Sequence, residues 1–217
     1  MSDPVTFAEF KEKEREAKKR IILQAAIRVF GKKSLNSASM REIAEEAGIS
    51  HASIYRYFRD KQALFVEAFL LGVKELQGKL EAILRSPPQE EVLQLTAQTL
   101  LDYLSRNEHY FAMMTQVMLE GDLSEESVGA LNSGMRSFLD RIEAVARLAG
   151  AEHNVRYLSH TFFACLNGIL ISFYNYPGRS REDVESHMKT LARVFIQMFT
   201  DGIRTGSYNH QIPGGRP

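Results

Sequence analysis

A chain of 217 residues, 44% hydrophobic and 25% charged, has the composition of a globular protein with enough sequence to bury a core in a small domain and an ordinary one. Its formal net charge of zero is unevenly spread: residues 1–61 carry 13 Lys+Arg against 9 Asp+Glu, net +4, and residues 62–217 carry 14 against 18, net −4. A positive head on a net-negative body suits a polyanionic partner, and a single cysteine, Cys165, excludes an intrachain disulfide framework and cysteine-rich zinc sites.

The polar, charged start has no apolar signal segment, so a cytoplasmic protein is expected. Met1 to Phe10 reads as a mobile arm. Lys11 to Arg20 mixes both charges at helical spacing and extends a first helix whose core face is Ile21, Ile22, Ala25, Ala26, Val29 and Phe30. Lys18, Lys19 and Arg20 are left open between a solvated helix end and contacts to a nucleic-acid backbone.

From Ser39 the pattern changes to two short helices around a tight turn. Ser39 with Glu42 forms a capping box, worth about 1 kcal/mol. Ile43, Ala44 and Ala47 make an apolar face, and Gly48 ends the helix where a left-handed residue is needed. Ser50 caps a second helix whose Ile54 and Phe58 face back on the first. This is the pattern of a helix-turn-helix, in which the second helix enters the DNA major groove. Its outward residues divide by chemistry. Ser50, His51, Ala52 and Ser53 stand in the first turn, where a histidine or serine can bond a base edge and an alanine can touch a thymine methyl. Tyr55, Tyr57 and Lys61, with Ser39 and Arg41 on the preceding helix, suit phosphate.

The set Arg20-Ile21, Ala25-Ala26, Phe30, Ser39, Ile43-Ala44, Ala47-Gly48-Ile49-Ser50, Ile54-Tyr55, Tyr57-Phe58, Lys61 and Leu64 resembles the DNA-binding domain of TetR-family transcriptional regulators. One departure is that the glycine often ending the family's first helix is here Ser34, with Gly31 upstream. The resemblance implies an all-α fold in which a three-helix DNA-binding domain is joined by a long helix to a helical ligand-binding and dimerisation domain. The expected boundaries are 1–66, 67–206 and a disordered tail at 207–217.

The long helix is read from Lys61 to Arg85, stopped by Pro87-Pro88. Helices follow over Gln89 to Arg106, Glu108 to Glu120, Ser124 to Leu148, Glu152 to Tyr176 and Ser180 to about Arg204, with breaks at Asn107, Gly121-Asp122, Gly150 and Pro177-Gly178. The most apolar run, Thr161 to Tyr176, is shorter than the roughly 20 residues of a membrane span, so no membrane partner is expected.

On these segments Phe111, Met114, Met118, Met135, Phe138, Phe162, Phe163, Phe173 and Tyr174 supply a deformable apolar wall, and Asn167 a polar anchor. A small apolar effector, such as an acyl chain or a flat aromatic, is expected there. On the last helix Val184, Met188, Leu191, Phe195 and Met198 form one stripe, with Phe199 off it. A helix apolar on two faces needs two partners, so Phe173, Met188, Leu191, Phe195, Met198 and Phe199 are expected to join two subunits as a homodimer.

His109, His153, His160 and His187 lack metal-ligand spacing, and no phosphate loop, nucleophile elbow or acid-base constellation appears. Neither a metal, a cofactor nor an enzyme is expected. The resulting reading is a ligand-responsive repressor on a pseudo-palindromic operator. The alternative is a TetR-like DNA-binding protein with an architectural or cell-cycle role and no effector.

Overall fold

The computed structural model describes residues 6–85, 91–120 and 123–208, except for the side chains of 118–120. The fold is all-α, with no strand among the described residues. Its helices are α1 Phe7–Phe30, α2 Met40–Glu46, α3 His51–Ile54, α4 Lys61–Arg85, α5 Val92–Arg106, α6 Glu108–Glu120, α7 Glu125–Leu148, α8 Val155–Phe173 and α9 Arg181–Thr205.

Several boundaries differ from the sequence pattern. Residues 7–10 are helical, because Thr6 and Glu9 form a capping box that starts α1 well before Lys11. α1 ends at Phe30 with Gly31 as its cap, so a glycine does close this helix, in a right-handed conformation. α8 begins at Val155, not Glu152, because Asn154 is left-handed at φ 52° and breaks the helical path. α5 begins at Val92. The expected stop at Pro87-Pro88, the break at Gly121-Asp122 and the tail beyond Tyr208 lie outside the described residues.

The chain forms two compact units, residues 1–73 with 107–134, and residues 74–106 with 135–217. The division differs from a cut at residue 66: α6 and the first part of α7 belong with the amino-terminal unit.

In the first unit, Ile22, Ala25, Ala26 and Phe30 of α1 pack on Ile43 and Ala44 of α2, and Ile54 and Phe58 close the core from the turn side. Full burial of each large side chain contributes about 1.5–3 kcal/mol, more than any single cap. Phe30 and Phe65 meet edge to face at 4.9 Å. Two glycines seat α6. A Cβ on Gly31 would lie 2.5 Å from the His109 backbone, and one on Gly72 would lie 2.2 Å from the Tyr110 ring. Tyr110 then donates to the Phe69 carbonyl at 3.1 Å, and Gln116 to the Phe30 carbonyl at 3.1 Å.

In the second unit α5, α8 and α9 pack mutually. Phe162 is wholly buried against Phe195 and Phe199, at 5.9 and 5.5 Å between ring centroids. Arg141 joins α7 to α4 through Glu81 at 2.6 Å, and Tyr103 joins α5 to α4 through Glu75 at 3.0 Å. Burial is the main cause that pushes the Tyr103 phenol above its ordinary range, so it remains a donor.

The inward face of α9 is Val184, Met188, Ala192, Ile196, Phe199 and Ile203. Met188 and Phe199, expected at a subunit interface, are therefore core of their own protomer, at 4% and 9% exposure. At 100° per residue this face is rotated by roughly 60–70° from the expected stripe. Both stripes begin at Val184 and Met188 and diverge only afterwards, so spacing alone does not choose between them. Leu191 and Phe195 are half-buried, while Val194 and Met198 stand 54% and 69% exposed.

Candidate nucleic-acid interface and effector core

The amino-terminal unit presents a turn that local chemistry holds rigid. Ser39 Oγ accepts from the Glu42 amide at 3.2 Å, and Glu42 Oε2 accepts from the Ser39 amide at 3.0 Å, completing the capping box. Lys33 also binds Glu42. The lysine and then the serine hydrogen bonds hold the Glu42 carboxyl below its ordinary pKa. Gly48 turns the chain at φ +70°, a conformation that L side chains avoid. Ser50 Oγ accepts from the Ser53 amide at 3.2 Å and starts α3.

α3 is a single turn. Beyond Ile54 the chain continues through tighter turns, with Arg56 and Tyr57 amides donating to the Ser53 and Ile54 carbonyls at 3.2 and 3.0 Å. Ile54 and Phe58 point inward, so His51, Ala52, Tyr55 and Arg56 face solvent, and Ser53 and Tyr57 are half-buried. The His51 and Tyr55 rings meet edge to face at 5.2 Å, which orients both on one exposed surface. Arg41 is paired with Glu45 at 2.9 Å, but both side chains are more than half exposed, so the pair is weak and can give way to phosphate.

Lys61 has a different environment from that expected. Its ammonium donates to the Ala38 carbonyl at 2.8 Å and to the Asn36 carbonyl at 3.2 Å, so it pins the α1–α2 loop. An ammonium has three donors, which leaves one for a phosphate. Lys19 is turned inward, onto Glu67 at 2.5 Å and over the Phe58 ring at 5.6 Å. Lys18 holds Glu14 at 2.6 Å.

Arg59 was not among the expected contacts. It lies just beyond the recognition turn and pairs with Glu126 at 2.5 Å and with Asp60 at 3.2 Å. It borders an open groove of about 410 Å³ shared with Tyr57, Phe58, Val66 and Leu70. Its place directly after Tyr57-Phe58 is the only sequence signal for it.

The effector candidates fall in both units. Phe111 and Met114 are buried in the first; Met135, Phe138, Phe162, Phe163, Asn167, Phe173 and Tyr174 belong to the second. The Met118 side chain lies outside the described residues. Phe138 meets Phe163 edge to face at 5.3 Å, and Phe173 lies 4.8 Å from the His187 ring. Asn167, 6% exposed, donates through Nδ2 to the Phe163 carbonyl at 2.9 Å, while its Oδ1 is buried without a partner. A buried acceptor left unpaired costs about 1–3 kcal/mol. Cys165 is half-buried, and burial raises its thiol pKa, which argues against a redox role. The described residues contain no His/Cys/Asp/Glu cluster able to hold a metal and no helix long and apolar enough to cross a membrane.

Residues 22–68 match the family model for bacterial regulatory proteins of the tetR family. The chain is 25% identical to the HTH-type transcriptional regulator PksA of Bacillus subtilis over 185 residues, covering 80% of this chain and 86% of that one. The fold is similar to the transcriptional regulator FadR of Bacillus subtilis in complex with stearoyl-CoA, with a TM-score of 0.67, 18% identity, and coverage of 81% and 96%. It is also similar to a transcriptional regulator of Saccharomonospora viridis in complex with choline, with a TM-score of 0.66, 22% identity, and coverage of 84% and 96%. A capped helix-turn-helix within the matching segment identifies residues 22–68 as a DNA-binding domain of the tetR-family type, on a fold similar along most of the chain to solved transcriptional regulators.

Proposed function

We propose that the protein is a ligand-responsive repressor that binds a pseudo-palindromic operator as a homodimer and is released by a small apolar effector. The observation that carries the DNA-reading part is the exposed surface of His51, Ala52 and Tyr55 on a turn fixed by Ser50 and Gly48. His51, Ala52, Ser50 and Ser53 read base edges. Tyr55, Tyr57, Ser39, Arg41 and the third donor of Lys61 hold phosphates and set register.

Two-fold pairing is supported by the outward faces of the last two helices. On α8, Tyr157, Thr161, Ala164, Gly168 and Ile171 are exposed at alternating spacings of four and three, with small residues at the centre. On α9, Val194 and Met198 are exposed, flanked by half-buried Leu191 and Phe195. Small residues at the middle of such a face allow two helices to approach closely, whereas half-buried Phe173 points to nearly the opposite side of α8, onto the His187 ring.

The effector is supported by Asn167 among Phe138, Phe162 and Phe163. With Nδ2 committed to Phe163, the remaining acceptor calls for an apolar ligand that donates a hydrogen bond from its polar end. The stearoyl-CoA held by the related FadR is consistent with a long apolar effector. Binding one state 10- to 100-fold better supplies about 1.4–2.7 kcal/mol of coupling. α4, continuous from Lys61 to Arg85, is the element through which the spacing of the two reading heads changes.

A second reading, a DNA-binding protein without an effector, is favoured by the complete burial of Phe138 and Phe162 in ring contacts. Selection of bound DNA from a random duplex pool, repeated with fractionated cellular small molecules, separates the two. A pseudo-palindromic motif released by an apolar fraction supports the repressor. A motif that no fraction disturbs supports the effector-free reading, and no motif at all from folded protein rejects both.

A further inference from the structure

The first turns of α1 carry an exposed apolar seam, where the neighbouring Lys11 ammonium lies over the Phe7 ring at 4.7 Å. Phe7, Phe10, Glu14, Ala17 and Ile21 recur at spacings of three, four, three and four, and all are exposed. Phe7 is 72%, Phe10 58% and Ile21 51% exposed, which places three large apolar groups in water along about 20 Å of helix. Spacing of this kind makes the narrow a/d stripe of a coiled coil.

The residues bordering the stripe are all basic. Lys11 and Lys18 lie on one side, and Lys13 and Arg20 on the other, in the positions that face a partner helix. The acids Glu9, Glu12 and Glu16 sit on the opposite side of the helix. Glu14 is the one acid in the stripe, held by Lys18 at 2.6 Å. We infer that this seam docks an acidic amphipathic helix of another protein, with apolar residues against Phe7, Phe10, Ala17 and Ile21 and carboxylates against the flanking bases.

Other occupants fit the pattern less well. A second copy would set bases against bases in either helix orientation. A lipid surface asks for an apolar face wider than an a/d stripe and would bury Glu14. DNA would meet the carboxylates of Glu9, Glu12 and Glu16 on the same two turns as the bases. A two-heptad seam is short, so the contact is a weak, exchangeable one, suited to recruiting a partner to a DNA-bound regulator.

The test uses the full chain and a labelled synthetic peptide of about three heptads, leucine at a and d and glutamate at e and g, read by fluorescence anisotropy. A peptide of the same composition with its leucines scrambled, and vesicles of phosphatidylglycerol, run beside it. Saturable binding is expected, weakened at least about tenfold, or about 1.4 kcal/mol, by scrambling, by Phe7→Ser with Phe10→Ser, and by Lys11→Glu with Lys13→Glu. All four side chains are exposed, so helix content and melting should be unchanged in both variants. Absence of peptide binding, or equal binding of the scrambled peptide, overturns the inference. So does vesicle binding in place of peptide binding, loss of operator affinity alone in the phenylalanine variant, or dissociation of the chain's own oligomer by that variant.

Discussion

Replacing Lys61 by alanine removes two hydrogen bonds from a half-buried ammonium to the carbonyls of Ala38 and Asn36, at 2.8 and 3.2 Å. Hydrogen bonds to a charged group contribute about 1.5–3 kcal/mol each when buried. Here the outer carbonyl can rehydrate, which reduces its share, and a cation in the first turn of α4 opposes the helix dipole by about 0.3–1 kcal/mol. The net expectation is a loss of about 1–2 kcal/mol. With a urea slope of about 2 kcal/mol/M, the unfolding midpoint should fall by about 0.5–1 M at fixed protomer concentration. The same variant should flatten the log–log salt dependence of DNA binding by about 0.9 for each phosphate that is no longer neutralised. An unchanged midpoint would refute the loop clamp, since the geometry requires both carbonyls to lose their donor. A lowered midpoint with an unchanged salt slope would show that Lys61 does not touch phosphate and leave the clamp as its whole role.

His51→Ala should change preference at particular base pairs by about 1–3 kcal/mol in competition with random DNA, and equal losses on both would contradict base reading. Gly48→Ala should cost about 1–2 kcal/mol in thermal unfolding, from backbone strain alone, because a Cβ there meets nothing within 4 Å. Gly72→Ala should cost about 1–3 kcal/mol by a different route, since its Cβ would lie 2.2 Å from the Tyr110 ring; a neutral result would mean that α6 is not seated there. The lowered pKa of Glu42 favours the folded state above the ordinary carboxylate pKa of 4.5, and that contribution disappears as pH falls through the folded value. Melting between about pH 5 and 3 should therefore fall more steeply for the native chain than for Glu42→Gln, and parallel curves would remove Glu42 from the acid response. Val194→Glu with Met198→Glu should convert a dimer to monomer in sedimentation without unfolding, because both side chains are exposed; an unchanged mass would place the pairing surface elsewhere.

Sequence alone determined what is local. The Ser39–Glu42 box, the left-handed Gly48, the Ser50 cap and the inward Ile54 and Phe58 each depend on residues within about four positions, so hydrogen-bond chemistry and backbone sterics specify them before any tertiary contact forms. The uninterrupted span of α4 from Lys61 to Arg85 was legible for the same reason. Tertiary structure decided what spacing leaves degenerate. Which apolar stripe of α9 faces inward depends on the shape of Phe162 and its neighbours, and that rotation moved Met188 and Phe199 into the core and left Val194 outside. The seating of α6 on Gly31 and Gly72, and the capture of Lys61 by carbonyls 23 and 25 positions away, carry no periodic signature. They arise only when distant segments are packed to crystal-like density, where one missing Cβ or one ammonium decides which surfaces meet.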